Sequence, residues 1–216
     1  MNSKLKIRMQ KWQKVDLYPV ITPEFCKNRD PLLILDEVMQ AGAKVVQLRI
    51  KQGSDHYLYN LSCQFRALTN KHSALLIIND RIDIAMACGA DGVHLGQDDL
   101  PLGIARKLAP DLIIGTSTHN AKEVIRAQKE GCSYLNIGPV YGTATKELPI
   151  NPLGEEKLSE LTALVEVPFT VMGGIKRHNI PRLKQIGTKI FAVVTAVTAA
   201  PDVKNATREL IDLISS

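Results

Sequence analysis

The chain has 216 residues, 45% of them apolar and 23% charged. That is the mix of a globular domain large enough to bury a core without disulfide or metal support. It excludes a disordered chain, a collagen-like repeat and a disulfide-scaffolded miniprotein. The net charge of +5 is local, because residues 1–14 hold Lys4, Lys6, Arg8, Lys11 and Lys14 with no acid, and the other 22 basic residues match the 22 acids. A neutral body argues against a nucleic-acid-binding surface, so no nucleic-acid partner is expected.

The basic start, residues 1–16, lacks the apolar stretch of a secretory signal. An organelle transit peptide fits its composition less well than a solvated helical extension over the bottom of the domain that occupies residues 17–216. No apolar run approaches the roughly 18 residues of a membrane helix, so no membrane partner is expected. The cysteines, at 26, 63, 88 and 132, form no C-x-x-C, and the five histidines form no H-x-x-x-H. Free thiols in a reducing cytoplasm are the simplest reading. A homo-oligomer is compatible with the sequence, which does not set the oligomeric state.

From residue 17 onward, short β-rich apolar runs alternate with helical patterns. Strands are predicted at Leu17 to Thr22, Lys44 to Arg49, Ala74 to Ile78, Gly92 to Leu95, Leu112 to Gly115, Tyr134 to Ile137, Phe169 to Met172 and Phe191 to Thr195. Most are apolar on successive residues, as expected of parallel strands buried on both faces. Helices are predicted at Pro31 to Ala41 with Asp30 as N-cap, after Asp99 at Leu100-Pro101, at Ala121 to Glu130, and at Pro201 to Ser215. Eight βα units over residues 17–216 match a small (β/α)8 barrel, a fold that usually has about 250 residues and starts near about 200. An open doubly wound sheet would carry a glycine-rich turn after its first strand, and TPEFCKNRDP has no glycine there.

Function in such a barrel sits at the carboxyl ends of the strands. After the second strand, period-two alternation puts Gln47, Arg49 and Lys51 on one face and Leu48 and Ile50 on the other. The polar trio then faces the barrel mouth, where two cations need either a bound anion or internal carboxylates. Asp80 and Asp99 follow the third and fourth strands. Each could cap the next helix; together, beside Arg49 and Lys51, they suit Mg²⁺, which binds through one or two carboxylates and substrate phosphate oxygens. Ser117 offers a hydroxyl after the fifth strand, and His119 reads as a helix-start side chain. The loop from Gly138 to Lys146, with Gly142, Thr143, Thr145 and Lys146, could wrap an anion or simply be a surface excursion. Gly173-Gly174 and Val194-Thr195 end the last two strands, where this fold commonly binds phosphate through backbone N–H groups.

The motifs QLRIK, INDRIDIA, ADGVHLGQDDLP, STH, GPVYGTATK, GGI and VVTAV, in this order from about Tyr18 to Pro201, resemble the thiamine-phosphate synthase family. The resemblance implies a (β/α)8 enzyme that joins 4-amino-2-methyl-5-pyrimidinylmethyl diphosphate to a thiazole phosphate, releasing pyrophosphate and forming thiamine phosphate. It implies that Gln47, Leu48, Arg49, Ile50, Lys51, Asn79, Ser117 and Lys146 hold the pyrimidine diphosphate. Asp80 and Asp99 would bind Mg²⁺. Thr143, Ala144, Thr145, Gly174, Val194 and Thr195 would hold the thiazole phosphate. Arg49, Lys51 and Lys146 would act catalytically by stabilising the departing diphosphate. The sequence departs from the family pattern at Ile50, where Glu is usual, at Ala144, usually Pro, at Thr195, usually Ser, and at Met172, usually Ile. None of these removes a charged site residue. Two other readings share the barrel: a thiazole tautomerase, which often has His where Pro139 stands, and a non-catalytic regulator that binds thiazole or thiamine phosphate.

Overall fold

The computed structural model describes residues 3–143 and 151–216. Its first half runs α1 (Ser3–Trp12), β1 (Leu17–Ile21), α2 (Pro31–Gln40), β2 (Val45–Leu48), α3 (Asp55–Lys71), β3 (Leu75–Asn79), α4 (Ile82–Ala87), β4 (Gly92–Leu95) and α5 (Leu102–Leu108). The second half runs β5 (Ile113–Thr118), α6 (Ala121–Lys129), β6 (Tyr134–Ile137), α7 (Gly154–Thr162), β7 (Phe169–Val171), α8 (Ile180–Gln185), β8 (Ile190–Val193), α9 (Thr195–Thr198) and α10 (Val203–Ser215). The strands close in sequence order into a parallel barrel, with β8 pairing back onto β1. This is the predicted (β/α)8 architecture.

The doubly apolar strands explain the closure. Outward residues such as Leu48, Ile78, Val93 and Ile114 join the core between barrel and helices. Inward residues such as Val45, Leu75, Ile77 and Ile113 fill the barrel itself. Asp30 caps α2 as predicted, its carboxylate accepting from Leu32 N at 2.8 Å. Two strand ends differ from the predictions by more than one residue. β5 continues through the polar Thr116-Ser117-Thr118, which pair with Leu135, Asn136 and Ile137 of β6. This polar run is still strand, with Ser117 the residue of the three that faces the mouth, so Ser117 stands on rigid backbone instead of a loop. β8 ends early, at Val193, and Thr195 opens α9.

The N-terminal arm is not simply solvated. Arg8 donates to Asp111 O at 2.6 Å and Ala90 O at 3.2 Å, and pairs with Asp91 at 3.4 Å. These groups precede β4 and β5, so α1 lies across the bottom of the barrel. From there Trp12 enters the barrel, fully buried. Its ring stacks on Tyr134 with centroids 4.1 Å apart and meets the Tyr18 ring edge-on at 5.6 Å.

Tyr134 needs space that Gly115 provides. A Cβ at Gly115 would lie 2.0 Å from the Tyr134 ring. Gly115→Ala is therefore expected to lower stability by about 1–3 kcal/mol, because the ring cannot retreat past Trp12. Urea unfolding of the variant beside the parent checks this, and an unchanged midpoint would contradict it.

Candidate active site

A cavity of about 940 Å³ opens at the carboxyl ends of the strands. Gln47, Arg49 and Lys51 line it, as the period-two argument requires, whereas Leu48 is buried in the outer core and Ile50 packs against that core. The Leu48 and Ile50 side chains thus turn away from the mouth, and only their backbone could serve a ligand there. Asn79, Asp80, Asp99, Ser117, Thr143, Gly174, Val194 and Thr195 also line the cavity. The structure brings these predicted residues into one mouth. Ala144, Thr145 and Lys146 lie outside the described residues.

Arg49 is half-buried, and its guanidinium donates no hydrogen bond to the described residues. Burial pulls its pKa down, against the opposing pull of Asp80 and Glu24. A planar fork of five donors with no partner among the described residues, in a cavity, is suited to a multivalent anion. Nearby, Asn79 Nδ2 is buried without a hydrogen-bond partner among the described residues. Such an orphan donor is costly unless a ligand satisfies it.

Asp80 takes a left-handed backbone, φ 62°, with its N–H donating to His94 O at 2.8 Å. Its carboxylate accepts from Lys51 and contacts the carboxylate of Asp99. Asp99 in turn accepts from Gly96 N at 2.6 Å. Neither residue caps a helix, since Arg81 precedes α4 and Pro101 precedes α5. Burial, then the neighbouring Asp99, raises the Asp80 pKa, and Lys51 opposes them. Two carboxylates held together suit a divalent cation, which would remove their mutual repulsion. No group of three or more His, Cys, Asp or Glu gathers as a metal site among the described residues.

On the opposite side, Gly173 and Gly174 have positive φ, 98° and 62°. A Cβ at Gly174 would stand 2.6 Å from Gly142 O, so only glycine lets the loops after β6 and β7 approach so closely. The first turn of α9 begins beside them, and the opening N–H groups of a helix have no intrahelical acceptor. Backbone donors and glycine suit a phosphate.

Several residues of the site escaped the sequence reading. His94 is buried beneath the mouth, its ring nitrogens bonded to Tyr134 and Ser117 at 2.9 and 3.0 Å. Asn136 lies beside it, accepting from Thr170 at 2.8 Å. Lys176 and His178 add positive or titratable groups on the loop after β7. Period-two alternation from Gly92 would have placed His94 inward; the search for paired histidines passed it over. His119 follows its predicted helix-start role, with Nδ1 on Glu123 at 2.8 Å and Asn120 as the N-cap of α6, but its ring also lines the cavity. Met172, where Ile is usual, packs against the inner core and also lines the cavity.

The family model described as thiamine monophosphate synthase matches residues 17–197. Thiamine-phosphate synthase of Chlorobium phaeovibrioides is 42% identical over 193 residues, 89% of this chain and 91% of that one. The same-named protein of Shouchella clausii is 38% identical over 196 residues, 90% of this chain and 94% of that one. Among solved structures, thiamine phosphate pyrophosphorylase from Pyrococcus furiosus superposes with a TM-score of 0.86 at 33% identity, covering 97% of this chain and 98% of the other. Matched over most of its length by a family model and by relatives of this identity, the chain belongs to the thiamine monophosphate synthase family.

Proposed function

We propose that the protein joins 4-amino-2-methyl-5-pyrimidinylmethyl diphosphate to a thiazole phosphate, releasing pyrophosphate and forming thiamine phosphate. The observation that carries this reading is Arg49. A half-buried guanidinium with no hydrogen-bond partner among the described residues stands beside a carboxylate pair, in the mouth of the family's barrel. In this reading Gln47 and Asn79 hold the pyrimidine, and Arg49, Lys51 and Ser117 hold its diphosphate. Gly174, Val194 and Thr195 hold the thiazole phosphate with Thr143. Lys146, Ala144 and Thr145 belong to the same clamp by family resemblance. Residues 17–216 are the domain that carries the reaction, and residues 1–16 close its floor. The setting is read as cytoplasmic, consistent with the absence, among the described residues, of a helix able to cross a membrane.

Diphosphate departure builds negative charge on the leaving oxygens. Preorganised positive charge aimed at those oxygens is usually the largest catalytic term. Arg49 and Lys51 supply it from one strand end, where alternation fixes both on the same side. Mg²⁺ held by Asp80 and Asp99 supplies further charge neutralisation when bound. The aminopyrimidine stabilises the methylene cation left behind, and the thiazole nitrogen attacks it. No protein nucleophile is needed; the chain holds two substrates in register and keeps water out.

Coupling is expected only with Mg²⁺ present. Purified protein, both substrates and Mg²⁺ should give a product that oxidises to a thiochrome-type fluorophore, and EDTA should abolish it. Undiminished product in EDTA would remove the metal from the account.

A further inference from the structure

Five buried side chains form a continuous hydrogen-bonded chain under the cavity floor. Gln47 Nε2 donates to Tyr18 Oη at 2.7 Å. Tyr18 Oη meets Tyr134 Oη at 2.9 Å, and Tyr134 Oη meets His94 Nδ1 at 2.9 Å. His94 Nε2 meets Ser117 Oγ at 3.0 Å. The chain starts and ends on residues that line the cavity. Neither tyrosine nor His94 has a part in the reaction proposed above.

The first link, together with the need of each buried hydroxyl hydrogen for an acceptor, sets the direction of the others. An amide nitrogen has hydrogens and no lone pair to offer, so Tyr18 must accept from Gln47. The hydroxyl hydrogen of Tyr18 then goes to Tyr134, and that of Tyr134 goes to His94 Nδ1. A ring nitrogen that accepts carries no proton, so the His94 proton sits on Nε2 and is donated to Ser117 Oγ. Ser117 accepts there, which leaves its own hydrogen free for the cavity. Burial raises the pKa of both phenols, so each keeps the proton it must pass along the chain.

We propose that Tyr18, Tyr134 and His94 are positioning residues: they form a one-way hydrogen-bond chain that presents the Ser117 hydroxyl as a donor to a phosphate oxygen of the diphosphate substrate. This rests on the reading that Ser117 faces the diphosphate. A serine with no such chain could spend its hydrogen on a nearby acceptor, and the site would lose a charge-assisted bond. The stacked Trp12 holds the Tyr134 ring in place from below.

Two measurements test the chain on the full-length protein. In the first, ¹⁵N NMR reads the His94 tautomer, with the resonance assigned by its loss in His94→Gln. The expected form has its proton on Nε2; a proton on Nδ1 would mean the chain runs the other way and would overturn the proposal. The second is a double-mutant cycle of Tyr18→Phe and Ser117→Ala, read by calorimetry with inorganic pyrophosphate and Mg²⁺. Each single change should weaken pyrophosphate binding, Ser117→Ala by about tenfold or more. Adding Tyr18→Phe to Ser117→Ala should cost nothing further, because the donor it would orient is gone. Additive losses would make Tyr18 a packing residue only and overturn the proposal. Wild-type protein that binds pyrophosphate and shows this cycle, yet couples no substrates, would sink the proposed function and leave the chain standing.

Discussion

Asp99→Ala is expected to reduce coupling by at least about a hundredfold while leaving the fold intact. The magnitude is that of losing one preorganised charge-stabilising group. The fold should survive because Asp99 caps no helix and its described backbone hydrogen bond is to Gly96 N on the same loop. Two effects combine in the variant. The cation site loses one of its two carboxylates, and Lys51 is left to neutralise Asp80 alone. Asp80→Asn should act in the same direction. Calorimetry should show Mg²⁺ binding lost in both variants. The KM for thiazole phosphate should stay near the parent value, because Gly174 and α9 lie on the opposite side of the mouth. Full activity in Asp99→Ala would remove the carboxylate pair from the mechanism.

Trp12→Ala is expected to cost about 3–5 kcal/mol of stability, the usual range for truncating a fully buried aromatic. Trp12 is completely enclosed at the bottom of the barrel, stacked on Tyr134. Its removal would leave a void lined by Leu5, Val15 and the inward residues of β2, β3 and β5. Urea unfolding measures the loss, and Trp12→Phe should recover part of it. A loss below about 1 kcal/mol would mean that α1 is only a surface arm. Activity should fall too, because an unsupported Tyr134 no longer fixes the hydrogen bond to His94.

The contrast between these two residues shows what the sequence could carry. The barrel was legible because strands buried on both faces are written as unbroken apolar runs, and LLII and FAVV leave little else to be. The mouth was legible because alternation acts over one or two residues: Gln47, Arg49 and Lys51 share a face however the rest of the chain folds. Asp80 and Asp99 could be suspected as a pair because adjacent strands place their ends side by side. Their contact, and the failure of either to cap a helix, needed the structure. Trp12 was not legible. Nothing local in MNSKLKIRMQKWQK shows that one aromatic will enter a barrel closed by strands far along the chain. The same holds for His94, whose partners Tyr134 and Ser117 come from two other strands. Ser117 itself was misplaced onto a loop because polar residues usually end strands, whereas a strand facing a polar cavity can remain polar.

In the proposed reaction, one mouth holds both substrates and the pyrimidine passes between them. The most direct test is a mass balance on the full chain with both substrates and Mg²⁺, quantifying pyrophosphate and thiamine phosphate over time. Both should appear together in equal amounts, with pyrophosphate release suppressed when thiazole phosphate is omitted. Thiazole phosphate isomerised without pyrophosphate release, or bound without any turnover, would contradict it.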